Sequence, residues 1–190
     1  MSVKRTLLWM CLVVFGAVGL LAATTSWYTV DESEQAVVIT FGQTTEYITT
    51  PGLHFKLPWP IQKVETVSRE TYSLTFGYKQ NEDGTINTQD SDAKMITGDE
   101  QIVLTDLVVQ WRIVDPKKYL FNSQDPEVIL HSATSSAIRS VIGSSKIDDA
   151  LTSGKAEIEA STRDILVSLL EKYDIGISIL GVKLQDVELP

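Results

Sequence analysis

The chain has 190 residues, of which 25 are acidic and 16 basic, giving a net charge of −9. That length holds one membrane anchor plus one domain, or two small subdomains. An acidic chain without a Lys/Arg stripe excludes nucleic acid as a partner, and any contact with lipid beyond an anchor has to be apolar.

Leu7–Ala23 carries no charge and no strongly polar side chain. At about 1.5 Å per helical residue its seventeen positions cover roughly 26 Å, and extension through Tyr28 brings the helix to about 33 Å, enough for the hydrocarbon core with some tilt. The predicted span is marked by Leu7, Trp9, Leu12, Phe15, Gly19, Ala23 and Trp27, with amphipathic rings at both ends where the membrane–water interfaces favour them. Lys4 and Arg5 precede it, and positive charge beside a span stays in the cytoplasm, so Thr29–Pro190 is expected outside. A cleaved signal peptide has a shorter apolar region and is not followed at once by a pair such as Trp27-Tyr28, which favours an uncleaved anchor. The only cysteine, Cys11, lies inside the run, so the exported part has no disulfide framework.

Beyond the polar exit Asp31–Glu34, Gln35–Phe41 reads as a strand closed by Gly42. Pro51-Gly52 marks a turn, Leu53–Leu57 a short strand, and Pro58-Trp59-Pro60 an extended corner. Val64–Phe76 alternates as one strand, and Lys79–Asp92 reads as a polar loop with an Asp83-Gly84 turn. In Lys94–Ile113 a turn at Gly98–Gln101 leads into a strand with Val103, Thr105, Leu107, Val109, Trp111 and Ile113 on one face. Asp125-Pro126-Glu127 starts a helix, with Asp as N-cap and Pro at the first position. Val128, Ile129, Ala133, Ala137, Ile138, Val141 and Ile142 form its apolar stripe, and Gly143 ends it. A second helix, Ser153–Tyr173, buries Ile158, Ile165, Leu166, Leu169, Leu170 and Tyr173, carries a Glu159–Arg163 pair on its wet face and closes at Gly176. Ile177–Val187 is a final strand. Strands, helices, then a strand define an α+β domain.

Chemistry-bearing patterns are sparse. Ser144-Ser145 beside Lys146, and the serines of Ser132–Ser136, suggest a Ser–Lys hydrolase, but no base or G-x-S-x-G elbow accompanies them, and capping or solvent-facing roles suit them better. Asp90, Asp92, Asp99 and Glu100 flank a hairpin as turn acids do. His54 and His131 have no Cys or His neighbours at ligand spacing, so no catalytic site, metal or cofactor is expected.

Pro51–Pro60, PGLHFKLPWP, places Leu53, Phe55, Leu57 and Trp59 around a corner stiffened by three prolines. These side chains either plug a core beneath the sheet or lie in the outer leaflet near the chain's exit from the membrane. With EQAVVITFG before it and IQKVETV after it, this stretch resembles the start of the SPFH (band-7) domain shared by stomatins, prohibitins, flotillins and the bacterial HflK/HflC pair. MITGDEQIVLTDLVVQWRIVDPKKYLF, ATSSAIRSVIGSSKIDDALTSGKAEI and GISILGVKLQDVELP resemble the HflK branch of that family. The motif residues include Pro51, Gly52, Pro58, Pro60, Asp115 and Pro116.

The resemblance implies a single-pass membrane protein with an SPFH domain over about 29–190, split into a membrane-proximal sheet subdomain (about 29–114) and a helical subdomain (about 115–190). It implies a non-enzymatic scaffold that alternates with HflC-like subunits in a hetero-oligomeric ring or cage around an FtsH-like membrane protease and modulates its degradation of membrane proteins. A stomatin-like organiser of membrane microdomains is the alternative. The family often carries a longer cytoplasmic segment before the span, and continues past Leu189-Pro190 into a long coiled-coil helix. The chain is therefore expected to be a fragment or a short form.

Overall fold

The computed structural model describes residues 9–10, 12–13, 16, 25–80, 86–88, 90–148 and 154–189. Lys4, Arg5, Leu7, Phe15, Gly19 and Ala23 of the expected anchor lie outside the described residues, as do Asp83-Gly84 and Ser153. Trp9, Met10, Leu12 and Val13 are helical and exposed. Among the described residues no helix is long and apolar enough to cross a membrane. Trp27 and Tyr28, expected to continue the anchor helix, are instead in a β-strand. Their backbone pairs with a strand twenty-odd residues on, and the segment Trp-Tyr-Thr-Val is rich in aromatic and β-branched strand formers.

The chain divides into two units, at Arg69/Glu70 rather than near residue 114. In the first, β1 (Trp27–Val30) pairs antiparallel with β4 (Gly52–Phe55), while β2 (Glu34–Thr40) lies between β3 (Gln43–Ile48) and β5 (Gln62–Ser68). The core is small and aliphatic: Val30, Ala36, Val37, Val38 and Val67 are buried. Gln35 is buried too, and its Oε1 accepts a 2.7 Å bond from the Tyr47 hydroxyl. The run Val64–Phe76 is two strands, not one. β5 belongs to this unit and β6 (Thr71–Phe76) to the next, a change of sheet that leaves period-2 alternation undisturbed.

In the second unit β10 (Ile102–Ile113) is the central strand. β6 and β9 (Lys94–Ile96) pair along one edge, and β11 (Ile177–Glu188) along the other with bulges at Asp106/Leu107 and Gln110/Trp111. β7 (Tyr78–Gln80) and β8 (Ile86–Thr88) form a separate pair, and α1 (Asp90–Ala93) is a single turn. The division falls at Arg69/Glu70 because β6 joins β10 and β11, binding residues 70–114 to the helical half.

Val103, Thr105, Leu107, Val109, Trp111 and Ile113 are all buried, as their alternation requires, beneath α3 (Pro126–Ser144) and α4 (Lys155–Tyr173). Asp115 caps α2 (Pro116–Phe121) through Lys118 N–H (3.1 Å), and Asp125 caps α3 through Val128 N–H (3.3 Å). α3 runs past Gly143, which does not adopt the left-handed conformation of a terminating glycine, and the hydroxyls of Ser144 and Ser145 both donate to Val141 O at 2.8 Å. The end of α4 is turned by Asp174 (φ 51°), with Gly176 (φ 72°) following. A Cβ at Gly176 would lie 2.2 Å from Asp115 O, so the position demands glycine for space as well as for backbone. Glu159 does not pair with Arg163; its Oε1 accepts the Leu184 N–H of β11 at 2.9 Å, tying helix to sheet. Val128 and Tyr173, expected on buried stripes, are exposed, and Leu130, missing from the expected stripe, is fully buried.

Candidate membrane-contact surface

Residues directly opposite one another on paired strands share a face of the sheet. In β1–β4, Trp27 is opposite Phe55 and Thr29 is opposite Leu53, so these four lie on one face, while Tyr28 and His54 occupy the other with their rings 5.7 Å apart. His54 Nε2 donates to Thr50 O at 2.8 Å, which fixes the approach to β4. The backbone then leaves the strand at Lys56, whose N–H donates to Ser26 O (2.8 Å), and turns through Leu57–Ile61 with a cis Trp59–Pro60 bond.

One side chain organises that turn. Gln62 Oε1 accepts the Leu57 N–H at 2.7 Å, and Gln62 Nε2 donates to Thr40 Oγ1 at 3.0 Å. Ile61 N–H closes on Pro58 O (3.0 Å), and Ile61 O accepts the Phe41 N–H (3.1 Å). The Leu57–Ile61 loop is thus tied to the β2–β3 hairpin at Thr40-Phe41. Phe41 (φ 49°) and Gly42 (φ 85°) form the two-residue turn of that hairpin.

The result is a set of large apolar side chains with no place in a core. Phe55 is 80% exposed, Phe41 79%, Trp59 75%, Trp27 56%, and Leu53 and Leu57 are both 51%. Leu53, Phe55, Leu57 and Trp59 are the residues the sequence points to, and all four are exposed. Phe41 reads from the sequence as the end of a strand. The signal that finds it is the spacing: two residues, the second Gly, separate two strands in the manner of a hairpin. Phenylalanine is a poor choice there, because the left-handed region costs a residue with a Cβ about 1–2 kcal/mol.

Elsewhere, the side chains of the chemistry-bearing patterns are engaged in the fold. Ser144 Oγ also donates to Ser140 O (3.1 Å), so the hydroxyls beside Lys146 serve the helix end. Asp99 accepts from Thr97 Oγ1 (2.6 Å) and from Ile147 N–H (3.2 Å), bonds that hold its carboxyl below the usual range. Burial, then the Glu127 carboxylate, pushes the Tyr119 phenol up to about 12. Asp106, directly across from Asp186, is raised by burial and then by Asp186 and Glu188. His131 lies 3.4 Å from Asp92, and among the described residues no group of His, Cys, Asp and Glu is arranged to hold a metal.

A model of the SPFH domain / Band 7 family matches residues 28–190. The chain belongs to that family. Among SPFH relatives, Protein HflK of Vibrio cholerae is 33% identical over 180 residues, covering 93% of this chain and 42% of that protein. Modulator of FtsH protease HflK of Escherichia coli is 32% identical over 174 residues, 92% of this chain and 38% of that one. Protein HflK of Haemophilus influenzae is 34% identical over 164 residues, 86% of this chain and 36% of that one. The chain spans about two fifths of the length of these curated relatives. It is an HflK-like SPFH protein, and the SPFH match takes in the whole apolar surface except Trp27.

Proposed function

We propose that the protein is a non-enzymatic membrane scaffold. In this reading Leu7–Ala23 is a single-pass anchor with Lys4 and Arg5 on the cytoplasmic side, and the SPFH domain lies outside the cytoplasm. Leu53, Phe55, Leu57 and Trp59 rest in the outer leaflet, where each side chain fully buried contributes about 1.5–3 kcal/mol. The observation that carries the reading is the exposure of Phe55 and Trp59 in the unit whose first strand begins close behind Ala23. Water gives no reason to leave such rings outside, whereas a bilayer surface does.

The scaffold assembles with an HflC-like subunit and modulates an FtsH-like membrane protease. Support comes from the relatives' identity over most of this chain, one of them named as a modulator of FtsH protease. Glu157 and Asp164 on α4 are available to border a neighbouring subunit; Glu159 is not, being committed to Leu184. Affinity purification of the full-length protein from detergent-solubilised membranes tests the assembly. An eluate holding an HflC-like subunit and an FtsH-like protease is expected, and an eluate with neither leaves only the membrane-organising role. Protease added to intact spheroplasts should digest the SPFH domain; complete protection would overturn the topology.

A further inference from the structure

Phe41 is a misfit in its own hairpin. Its backbone is left-handed, at a turn position where Asn, Asp or Gly is favoured, and its ring is almost fully exposed. The fold gains little packing from that ring, and strain kept at an exposed residue points to a role outside the fold. The position supplies the role. Phe41 N–H is bonded to Ile61 O, and Thr40 is bonded to Gln62, which also holds Leu57 N–H. The ring is therefore carried by a second loop fastened to the one bearing Leu57 and Trp59. We propose that Phe41 is a second membrane anchor, entering the acyl region of a zwitterionic bilayer beside the Leu57–Trp59 loop, with Gln62 as the positioning residue that holds the two loops together. This rests on the membrane-contact reading above. It assigns lipid rather than a protein partner because the tethered loop carries no charge between Leu57 and Gln62, and Trp27, paired with Phe55 in the same unit, lies next to the apolar N-terminal run.

The test uses the full chain with Cys11→Ser, so that one introduced cysteine carries a nitroxide. Three such proteins, with Phe41→Cys, Trp59→Cys or Thr45→Cys, are reconstituted into phosphatidylcholine vesicles, and collision with oxygen is compared with collision with a water-soluble nickel chelate. Labels at positions 41 and 59 should favour oxygen, as acyl chains do, and the label on exposed β3 at position 45 should favour nickel. Nickel access at 41 with lipid exposure at 59 overturns the role of Phe41 and leaves the loop's membrane contact standing. Nickel access at both overturns the membrane-contact reading as well. Loss of both collisions at 41 means that protein covers the ring, which also overturns the proposal. An independent arm measures stability in detergent. Phe41→Asn should raise the thermal midpoint, by about 2–4 °C if the strain relieved is near the lower end of its range. A lower midpoint would assign the ring to the fold and overturn the proposal. In the Trp59→Cys background, Gln62→Ala should shift the label at 59 toward nickel, and an unchanged ratio would remove Gln62 from the positioning role.

Discussion

The two units differ in how large a side chain they enclose, although both leave some apolar side chains outside, among them Phe121 and Tyr173 in the second. Among the described residues of the first, the buried apolar side chains are Val30, Ala36, Val37, Val38 and Val67, while Trp27, Phe41, Phe55 and Trp59 face outward. In the second, Phe76, Leu107, Trp111, Leu130, Ile138, Ile142 and Leu166 are inside. A sheet covered by two helices has the volume to enclose rings and leucines, whereas sheets of two and three short strands have less. The second unit is organised by its own core. The first leaves Phe41, Phe55 and Trp59 exposed on its loops, and the proposed membrane contact would give them an apolar medium.

Substitutions that act on stability in one unit and on surroundings in the other probe this contrast. The largest loss is expected from Phe76→Ala, which empties a fully buried site: about 3–5 kcal/mol, read as a lower denaturant midpoint in detergent. A loss below 1 kcal/mol would mean that Phe76 does not sit in a tightly packed core. Asp125→Ala removes the cap of α3 and should lower stability by about 1 kcal/mol, with Asp125→Ser recovering most of it.

A smaller effect concerns pH. Because the Asp106 carboxyl is raised in the folded chain, that chain holds the proton more tightly than the unfolded one does. The stability it contributes is complete below the ordinary carboxylate range and is lost as pH rises through the raised value. Asp106→Asn should therefore increase stability at about pH 7 and flatten its dependence between about pH 4 and 7, measured as denaturation midpoints across that range. A steeper dependence in the variant would show that the sign is wrong. The smallest change in stability is expected from Leu57→Asp with Trp59→Asp, within about 0.5 kcal/mol of the parent in detergent, because neither side chain is in a core. The same pair should strip the loop from the bilayer, detected as nickel access at a nitroxide placed on Lys56→Cys in the Cys11→Ser chain. Unfolding of the pair would return these residues to the core and erase the contrast between the units.

Features governed by nearby residues were legible in the sequence. The alternation of Val103–Ile113 named its buried face, and Asp115-Pro116 and Asp125-Pro126 are helix starts whose caps are local. The apolar loop at Leu53–Trp59 stood out because prolines bracket it. What stayed hidden depends on distant partners. Glu159 looks like the first half of an i,i+4 ion pair, and nothing near it announces that Leu184 N–H takes its carboxylate. Alternation through Val64–Phe76 carries no mark of a change of sheet at Arg69. Phe41 has the chemistry of a strand residue, and only the position of Gly42 marks a turn.

The contiguity of the units along the chain has a consequence for synthesis. Every strand pairing of the first unit closes within the residues up to Arg69, so that unit has all its partners before the second begins. The second has no such order. β10 emerges with β6 and β9 already made for one edge, but the partner of its other edge is β11, separated from it by both long helices. Throughout that interval the strand from Leu104 to Ile113 presents an open row of backbone donors and acceptors beside its apolar face, the arrangement most prone to pair with the wrong chain. During translation the hazard therefore sits in the better-packed half of the molecule, and it ends when the last strand docks.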